Sequence, residues 1–254
     1  MRVGVGVTKG EVRAYSSKSF RGIRSVVILQ RNKFRETRVM MKTKFWRKGQ
    51  PHIQPIGACF SITMLVQDAV PRALIEELQC RRKAALIAVK DDDDLLRKSI
   101  EIHHTFEMEM EKILNAKNSQ EYPFRSSAAA GTVLDEVNRY ANKYYEVLAI
   151  CVMPNHVHML LDFSVQLPMN WDGKMLLPFY QNVPQVIKRI KGASARLINR
   201  RLNRKGALWN KGYYDRFIRD RVHLENERNY ILNNALKAGL VKKWSDYPFL
   251  YPKY

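Results

Sequence analysis

Two histidines separated by a single residue are the clearest sign of chemistry in this sequence. His156 and His158 lie in the run Cys-Val-Met-Pro-Asn-His-Val-His-Met-Leu-Leu at 151–161, whose apolar character is typical of a β-strand. Side chains alternate along a strand, so both imidazoles point to the same face. Imidazole is costly to bury without a partner, and its neutral form is a good ligand for a divalent cation. The pair therefore predicts either a metal site or a structural, hydrogen-bonded pair.

A second reactive group follows further along the chain. Tyr230 and Asn234 are four residues apart in a segment with helical periodicity, so they share one face of the predicted helix. A tyrosine that attacks phosphorus forms an aryl phosphodiester, a reversible intermediate that suits strand transfer. A divalent ion at the histidines would polarise the scissile phosphate, and Asn234 could add an oxygen ligand. Taken alone, Tyr230 is one of 12 tyrosines, and simple packing is the alternative.

The charge of the chain favours a phosphate-rich partner. Lys and Arg total 44 against 24 acidic residues, which gives a formal net charge of +20. Contacts from Lys and Arg supply most of the affinity for nucleic acid, although charge alone does not separate this class from other basic proteins. The cations are densest between 184 and 220, where the predicted DNA contacts are Lys188, Arg189, Lys191, Arg196, Arg200, Arg204, Lys205, Lys211, Arg216 and Arg219.

Aromatic residues are interleaved with these cations. Trp209, Tyr213 and Tyr214 lie in the same basic stretch, and stacking of aromatic rings on bases suits single-stranded nucleic acid. Large aromatic side chains are also ordinary anchors of a hydrophobic core. Both roles are open at this point.

The cellular environment follows from what the sequence lacks. Its three cysteines, Cys59, Cys80 and Cys151, are neither paired in spacing nor even in number, which excludes a disulfide framework and a zinc ribbon. No apolar run approaches the ~20 residues that span a bilayer, and the apolar piece at 25–29 is too short for a signal-peptide core. We therefore expect a cytoplasmic, nucleoid-associated protein.

The pattern of apolar residues predicts an α+β domain. Strands are expected at 56–66, 145–151, 156–163 and 213–219. Helices are expected at 71–118, 132–143, 184–203 and 224–237, with Gly239 as the C-cap of the last. The acidic run 91–94 interrupts the first helical segment, and we expect it to be a solvated loop or a helix start. His103 and His104 are adjacent on that charged helix and are expected at its surface.

The domain boundaries follow from composition. Residues 1–49 are predicted to be a flexible basic arm, since the first 50 residues carry 14 Lys or Arg and only two acids. An open alternative is that the chain starts at Met40 or Met41. The main domain is expected at 50–250 with a helical insertion at about 71–130, and 251–254 form a tail. The segment 164–180 reads as an insertion or loop.

Several ordered motifs resemble those of the REP-associated tyrosine transposases, a branch of the single-tyrosine, HUH transposases of the insertion-sequence-200-like superfamily. His156-Val157-His158 after Pro154-Asn155 resembles the HUH signature. The other matching runs, in chain order, are 51–58, Lys191-Gly192, 195–199, the run 209–220 that begins Trp-Asn-Lys-Gly-Tyr-Tyr, Tyr230-Ile231 and 237–241. The resemblance covers about residues 50–250.

This resemblance implies a fold and a chemistry. The fold is a ferredoxin-like antiparallel sheet with helices on one face and the HUH histidines on a central strand. His156 and His158 would be metal ligands for Mg²⁺ or Mn²⁺, with Asn234 as a candidate further ligand. Tyr230 would be the nucleophile that nicks and rejoins single-stranded DNA beside a REP-like hairpin, through a 5′-phosphotyrosine. No membrane partner is implied, and the protein would be a monomer or a dimer, with the monomer favoured.

Two departures and two alternatives accompany this prediction. The family usually has Pro after its Asn and Gln after its Trp, whereas this chain has Ala235 and Asn210. Neither change removes a reacting atom.

The main alternative is a non-catalytic DNA- or RNA-binding protein derived from such an enzyme. A weaker one is a metal-dependent phosphoesterase in which water attacks and Tyr230 only packs. Whether Tyr230 serves its own histidines or those of a partner is also open.

Overall fold

The computed structural model describes residues 54–92, 94–116 and 122–251, together with short strands between residues 30 and 53. Those strands form two antiparallel pairs. The first pair joins β1 (Gln30–Asn32) to β2 (Thr37–Val39), and the second joins β3 (Lys44–Arg47) to β4 (Gln50–Ile53). The rest of the predicted basic arm lies outside the described residues, and its role stays a prediction.

A five-stranded antiparallel sheet forms the centre of the domain. Its strands are β5 (Cys59–Leu65), β6 (Glu146–Val152), β7 (His156–Asp162), β8 (Tyr214–Phe217) and β9 (Leu250–Tyr251). Their spatial order is β8-β5-β7-β6-β9, and every neighbouring pair is antiparallel. The strand that carries the two histidines is therefore the central one, as expected.

Helices α3 (Ser127–Asn138) and α4 (Val183–Arg201) pack together on one face of this sheet. The chain runs β5-α3-β6-β7-α4-β8, and the corresponding strands are ordered β8-β5-β7-β6. This is the split βαβ arrangement of a ferredoxin-like fold. The prediction of an α+β class with an antiparallel sheet is confirmed.

A further layer covers the other face of the sheet. It contains α5 (Arg221–Leu232) and the short α6 (Asn234–Lys237). Along β7, Val157 and Met159 belong to the core under α3 and α4, whereas Leu160 packs with Ile231 of α5. Because side chains alternate along a strand, His156 and His158 lie on the same side as Leu160. The sheet thus carries helices on both faces, not only on the one that the resemblance implied.

The predicted insertion is a helical hairpin between β5 and α3. It consists of α1 (Arg72–Ala88) and α2 (Leu95–Ala116). The described residues of the acidic run lie between the two helices, before α2 begins at Leu95, which agrees with the expected loop. Asp92 pairs with Lys98 at 2.5 Å, and Asp94 pairs with Arg97. On α2, Phe106, Met110 and Leu114 are buried at helical spacing against the main core.

Several predicted boundaries shift in the structure. Helix α3 begins at Ser127 and ends at Asn138, about five residues ahead of the predicted 132–143, because the alanine-rich run 128–130 is a strong helix former and not a loop. Strand β9 extends the sheet to Tyr251, one residue past the predicted end of the domain. No helix among the described residues is both long enough and apolar enough to cross a membrane.

Trp209 and Tyr213 are core residues in this fold. Their exposed fractions are 7% and 9%, and the Trp209 ring lies 5.0 Å from that of Phe124. The indole N–H of Trp209 donates to Ser194 Oγ at 3.0 Å, and Ser194 in turn donates to Ile190 O at 2.6 Å. The core alternative is therefore confirmed for these two aromatic residues, while Tyr214 is only half-buried.

The hydrogen bond from the Trp209 indole to Ser194 gives a direct test of the packing between α4 and the loop before β8. Substitution Ser194→Ala leaves the buried indole N–H without its acceptor, which we expect to lower the free energy of unfolding by about 1–3 kcal/mol. Denaturant unfolding measures this change. The matched control Ser245→Ala removes an exposed hydroxyl and should have an effect within about 0.5 kcal/mol. Equal effects of the two substitutions would contradict the assigned hydrogen bond.

Candidate functional site

The central strand and α5 bring the histidines and the tyrosine together within one chain. The rings of His156 and His158 are perpendicular, with centroids 4.6 Å apart. The ring of Tyr230 lies edge-on to His158 at 5.5 Å. His156 is fully buried and His158 is 4% exposed. The fold therefore brings together three of the predicted site residues, His156, His158 and Tyr230.

A carboxylate that the sequence analysis missed completes this group. Glu111 Oε2 is 3.2 Å from His158 Nε2, and Glu111 Oε1 is 3.9 Å from His156 Nε2. One ligand atom from each of the three residues lies within 4.8 Å of the others. Glu111 belongs to α2, in the inserted hairpin, and only 8% of it is exposed. A carboxylate and two imidazoles are a ligand set that can hold a divalent cation.

Hydrogen bonds at the outer nitrogens hold both imidazoles in place. The Asn155 amide donates to Leu114 O at 2.8 Å, so its oxygen faces His156 Nδ1 at 2.6 Å and accepts that proton. His158 Nδ1 pairs with Thr63 Oγ1 at 2.9 Å. The Nε2 atoms of both rings are thereby turned towards Glu111. Such support of the outer ring nitrogen is the usual way that a protein orients metal-ligating histidines.

The protonation of His156 and its unpaired Nε2 atom suit a metal ligand. Its Nε2 atom is buried and has no hydrogen-bond partner within the part of the chain that the structure describes. Burial, reinforced by His158, lowers the pKa of His156 to about 3. The ring is therefore neutral at physiological pH, with the lone pair of Nε2 available. An orphaned, inward-facing lone pair beside a carboxylate is what a divalent cation would satisfy.

Asn234 lies one helical turn after Tyr230, at the start of α6. It is 1% exposed, and its side chain contacts the Tyr230 hydroxyl, which opposes the rise in the pKa of Tyr230. Asn234 therefore lies at the same site as the tyrosine and the histidines. Its role as a further metal ligand stays a prediction.

The Tyr230 hydroxyl is held in its protonated form. It donates a hydrogen bond to the Glu111 carboxylate. Burial first, and then the charge of Glu111, raise the pKa of Tyr230 well above its ordinary value. Although burial opposes ionisation of Glu111, the charge of His158 holds the pKa of this carboxyl below its usual range. For Tyr230 to act as a nucleophile, a bound cation or substrate would have to change this electrostatic balance.

A buried polar network lies beside Tyr230. Ser61 donates to Glu227 Oε1 at 2.7 Å, and the Arg216 guanidinium contacts Glu227 Oε2 and, at 2.8 Å, Glu107 Oε2. Arg216 was among the predicted DNA contacts, but two of its donor groups are engaged by carboxylates in this network. Its placement indicates that it orders the floor of the site, and direct DNA contact by Arg216 stays a prediction.

The remaining predicted DNA contacts divide by exposure. Lys191 is half-buried and donates to Asn210 O and Gly212 O at 2.7 and 2.5 Å, which orders the loop before β8. Arg204 and Arg219 are also half-buried. The exposed cations are Lys188, Arg189, Arg196, Arg200, Lys205 and Lys211. All six lie on α4 or in the loop after it, whereas the histidines and Tyr230 lie on the opposite face of the sheet.

A sequence signal for Glu111 existed but was weak. Glu111 directly follows the buried Met110 and precedes Leu114, so it borders the apolar stripe of α2 and not its solvated side. The same holds for Glu107 beside Phe106. Of the two adjacent histidines on α2, His104 is exposed, as expected, whereas His103 is half-buried and burial lowers its pKa to about 4.

Comparison with known proteins supports the resemblance. The family model for the IS200-like transposases matches residues 175–234, a segment that includes Tyr230 and Asn234 but begins after the two histidines. A protein of Haemophilus influenzae, described as a candidate REP-associated tyrosine transposase, is 28% identical over 123 residues, which are 45% of this chain and 68% of that protein. A solved structure of a REP-associated tyrosine transposase bound to a REP hairpin has 17% identity, covers 82% of each chain and gives a TM-score of 0.38.

The cluster of Glu111, His156 and His158 makes a specific prediction for metal binding. Titration of the protein with Mn²⁺, followed by the electron paramagnetic resonance signal of the free ion, should show one tight site. Glu111→Gln and His156→Ala should each weaken this site at least about tenfold, or about 1.4 kcal/mol. Glu101→Gln, which changes an exposed carboxylate on the same helix, is the matched control. Unchanged binding by Glu111→Gln would exclude the carboxylate as a ligand.

Proposed function

We propose that this chain, a relative of the REP-associated tyrosine transposases, is a metal-dependent enzyme that nicks and rejoins single-stranded DNA beside a hairpin. The observation that carries the proposal is the convergence of Tyr230 with Glu111, His156 and His158 in a single chain. A protein that only binds DNA has no need for a nucleophile beside a buried cluster of metal ligands. The same convergence favours attack by Tyr230 at its own site and not at that of a partner.

The chemistry would be a transesterification. The Tyr230 oxygen bonds to phosphorus, and the bond from phosphorus to the 3′ oxygen breaks, which leaves a 5′-phosphotyrosine and a free 3′-hydroxyl. The phenol loses one proton and the leaving oxygen gains one, so protons balance overall. The reverse attack by a 3′-hydroxyl restores a phosphodiester and frees the tyrosine. A divalent ion held by Glu111, His156 and His158, with Asn234 as a candidate fourth ligand, would act as a Lewis acid on the scissile phosphate.

The basic surface would bind the DNA on its way to this site. The exposed cations of α4 lie on the face opposite the histidines, and the loop after α4 leads to β8 at the edge of the sheet. Side chains of β8 reach the site, since Tyr214 and Arg216 border the same cavity as Tyr230. We therefore propose that the hairpin lies against α4 and the loop, mainly through its phosphates. Its single-stranded flank would then pass round the β8 edge.

The first test is covalent capture of DNA. A labelled hairpin oligonucleotide with randomised single-stranded flanks, incubated with Mn²⁺, should give a denaturation-resistant adduct with the wild-type protein. Tyr230→Phe should give none, because the nucleophilic oxygen is gone, whereas Tyr251→Phe, at an exposed tyrosine, should give wild-type yield. His156→Ala should lower the yield at least about a hundredfold by removing a metal ligand.

The outcomes of this experiment separate the alternatives. Cleavage without any adduct would contradict the tyrosine mechanism and favour a phosphoesterase in which water attacks. Binding without cleavage across the whole randomised pool would contradict catalysis and favour a nucleic-acid-binding protein.

The second test concerns the electrostatic surface of α4. The triple substitution Lys188→Glu, Arg196→Glu and Arg200→Glu should lower hairpin affinity and make it less sensitive to salt, with a log–log slope smaller by up to about three. Equilibrium binding measured at several salt concentrations gives both values. The triple control Lys83→Glu, Lys90→Glu and Lys242→Glu changes the same net charge at exposed sites elsewhere. If both triple variants lose affinity equally, only net charge matters and α4 is not the binding surface.

A further inference from the structure

A cavity of about 300 Å³ opens directly beside the nucleophile. It lies between α2, α5 and the strands β5 and β8, and both His158 and Tyr230 form part of its wall. Ligand pockets commonly span roughly 300–1,000 Å³, so this one is sized for a small ligand. Since one wall is the inserted hairpin, the cavity exists only because α2 covers this face of the sheet.

The walls of the cavity suit a flat, partly apolar group. The rings of Phe106 and Tyr214 both line it, with their centroids 5.6 Å apart. The Arg82 guanidinium lies 4.3 Å from the centre of the Phe106 ring, which keeps that ring fixed. Phe106 is only 4% exposed, so the half-buried ring of Tyr214, which packs against it, is the surface on which a nucleobase can stack. Apolar walls of this kind give affinity without selecting any one base.

Polar groups at the mouth of the cavity supply selectivity. Asn226 is exposed, lines the cavity and lies four residues before Tyr230, on the same side of α5. His104, on α2, lines it from the opposite wall. An amide and an imidazole both donate and accept hydrogen bonds, as the edges of nucleobases require. Deeper inside, the Arg216 guanidinium pairs both with Glu107, at 2.8 Å, and with Glu227, so one cation is shared by two carboxylates of the floor.

The position of the cavity beside Tyr230 indicates which kind of ligand would occupy it. A phosphate within reach of Tyr230 and the metal ligands would place its neighbouring nucleotide next to this opening. An unpaired base can turn out of the strand into such a pocket at low cost, because it has no partner to lose. A duplex cannot enter a cavity of this size. The chemistry that fits is therefore one unstacked base from a single strand.

We infer that this cavity, formed by the inserted hairpin and α5, receives one unpaired nucleobase adjacent to the scissile phosphate and that Asn226 reads its edge. This inference rests on the proposed function, because it assumes that the phosphate binds at Tyr230. It assigns a role to the inserted hairpin: α2 supplies one metal-binding carboxylate and one wall of a base-selective subsite. Asn226 is a specificity-determining residue in this arrangement, not a catalytic one.

The experiment separates base recognition from chemistry. Tyr230→Phe protein retains the ring but not the nucleophile, so it binds DNA without cleaving it. This protein is used to select from a pool of hairpins with randomised single-stranded flanks, and the bound sequences are read position by position. We expect a base preference at one flank position. Adding Asn226→Ala should reduce that preference at least about fivefold and leave the preferences at other positions intact, while His104→Ala should reduce it less.

Asn229 provides the matched control for Asn226. Asn229→Ala removes an exposed amide of the same helix that does not border the cavity, and it should leave the preference unchanged. A flank preference that survives Asn226→Ala, or that falls equally with Asn229→Ala, would overturn the base pocket, as would the absence of any flank preference. The proposed function fails separately, when wild-type protein forms no adduct with the sequences so selected.

Discussion

The approach of the Glu111 carboxylate to two buried imidazoles is the interaction on which the rest of the site depends. Three groups that are each costly to bury lie together on one face of the sheet, and the Nε2 atom of His156 has no other partner in the described part of the chain. Such a cluster is stable only if charge and hydrogen bonding are balanced within it. A bound divalent cation would provide that balance. Tyr230 and His158 share the Glu111 carboxylate, and this contact keeps the phenol protonated.

The register of the central strand connects this cluster to the core. Residues of β7 alternate between the packing under α3 and α4 and the face that holds the histidines. A slip of one residue would bury the imidazoles under α4 and expose the apolar side chains to the site. Pairing of β7 with strands on both sides fixes the register. The same β-sheet therefore separates two surfaces: α4 presents a basic surface on one face, and Tyr230 lies with the histidines on the other.

Local patterns in the sequence predicted the parts of this arrangement that depend on neighbouring residues. Strand periodicity placed His156 and His158 on one face, and helical spacing placed Tyr230 one turn from Asn234. The helical pattern places Glu111 only at the border of the apolar stripe of α2, and it does not connect Glu111 to the histidines, because tertiary packing brings the two together from distant parts of the chain. The number of cations in the sequence also predicted Arg216 as a DNA contact, although Arg216 pairs with Glu107 and Glu227. Such pairing depends on packing that no local pattern encodes.

In the proposed site, helix α2 and the central strand β7 share one metal ion beside Tyr230. Anomalous diffraction from crystals of the protein grown with Mn²⁺ tests it most directly. The account predicts one strong peak bonded at once to a Glu111 oxygen and to Nε2 of both His156 and His158, at about 2.0–2.3 Å. A peak held by the histidines with Glu111 turned away, or an ion bound elsewhere in the chain, would contradict it.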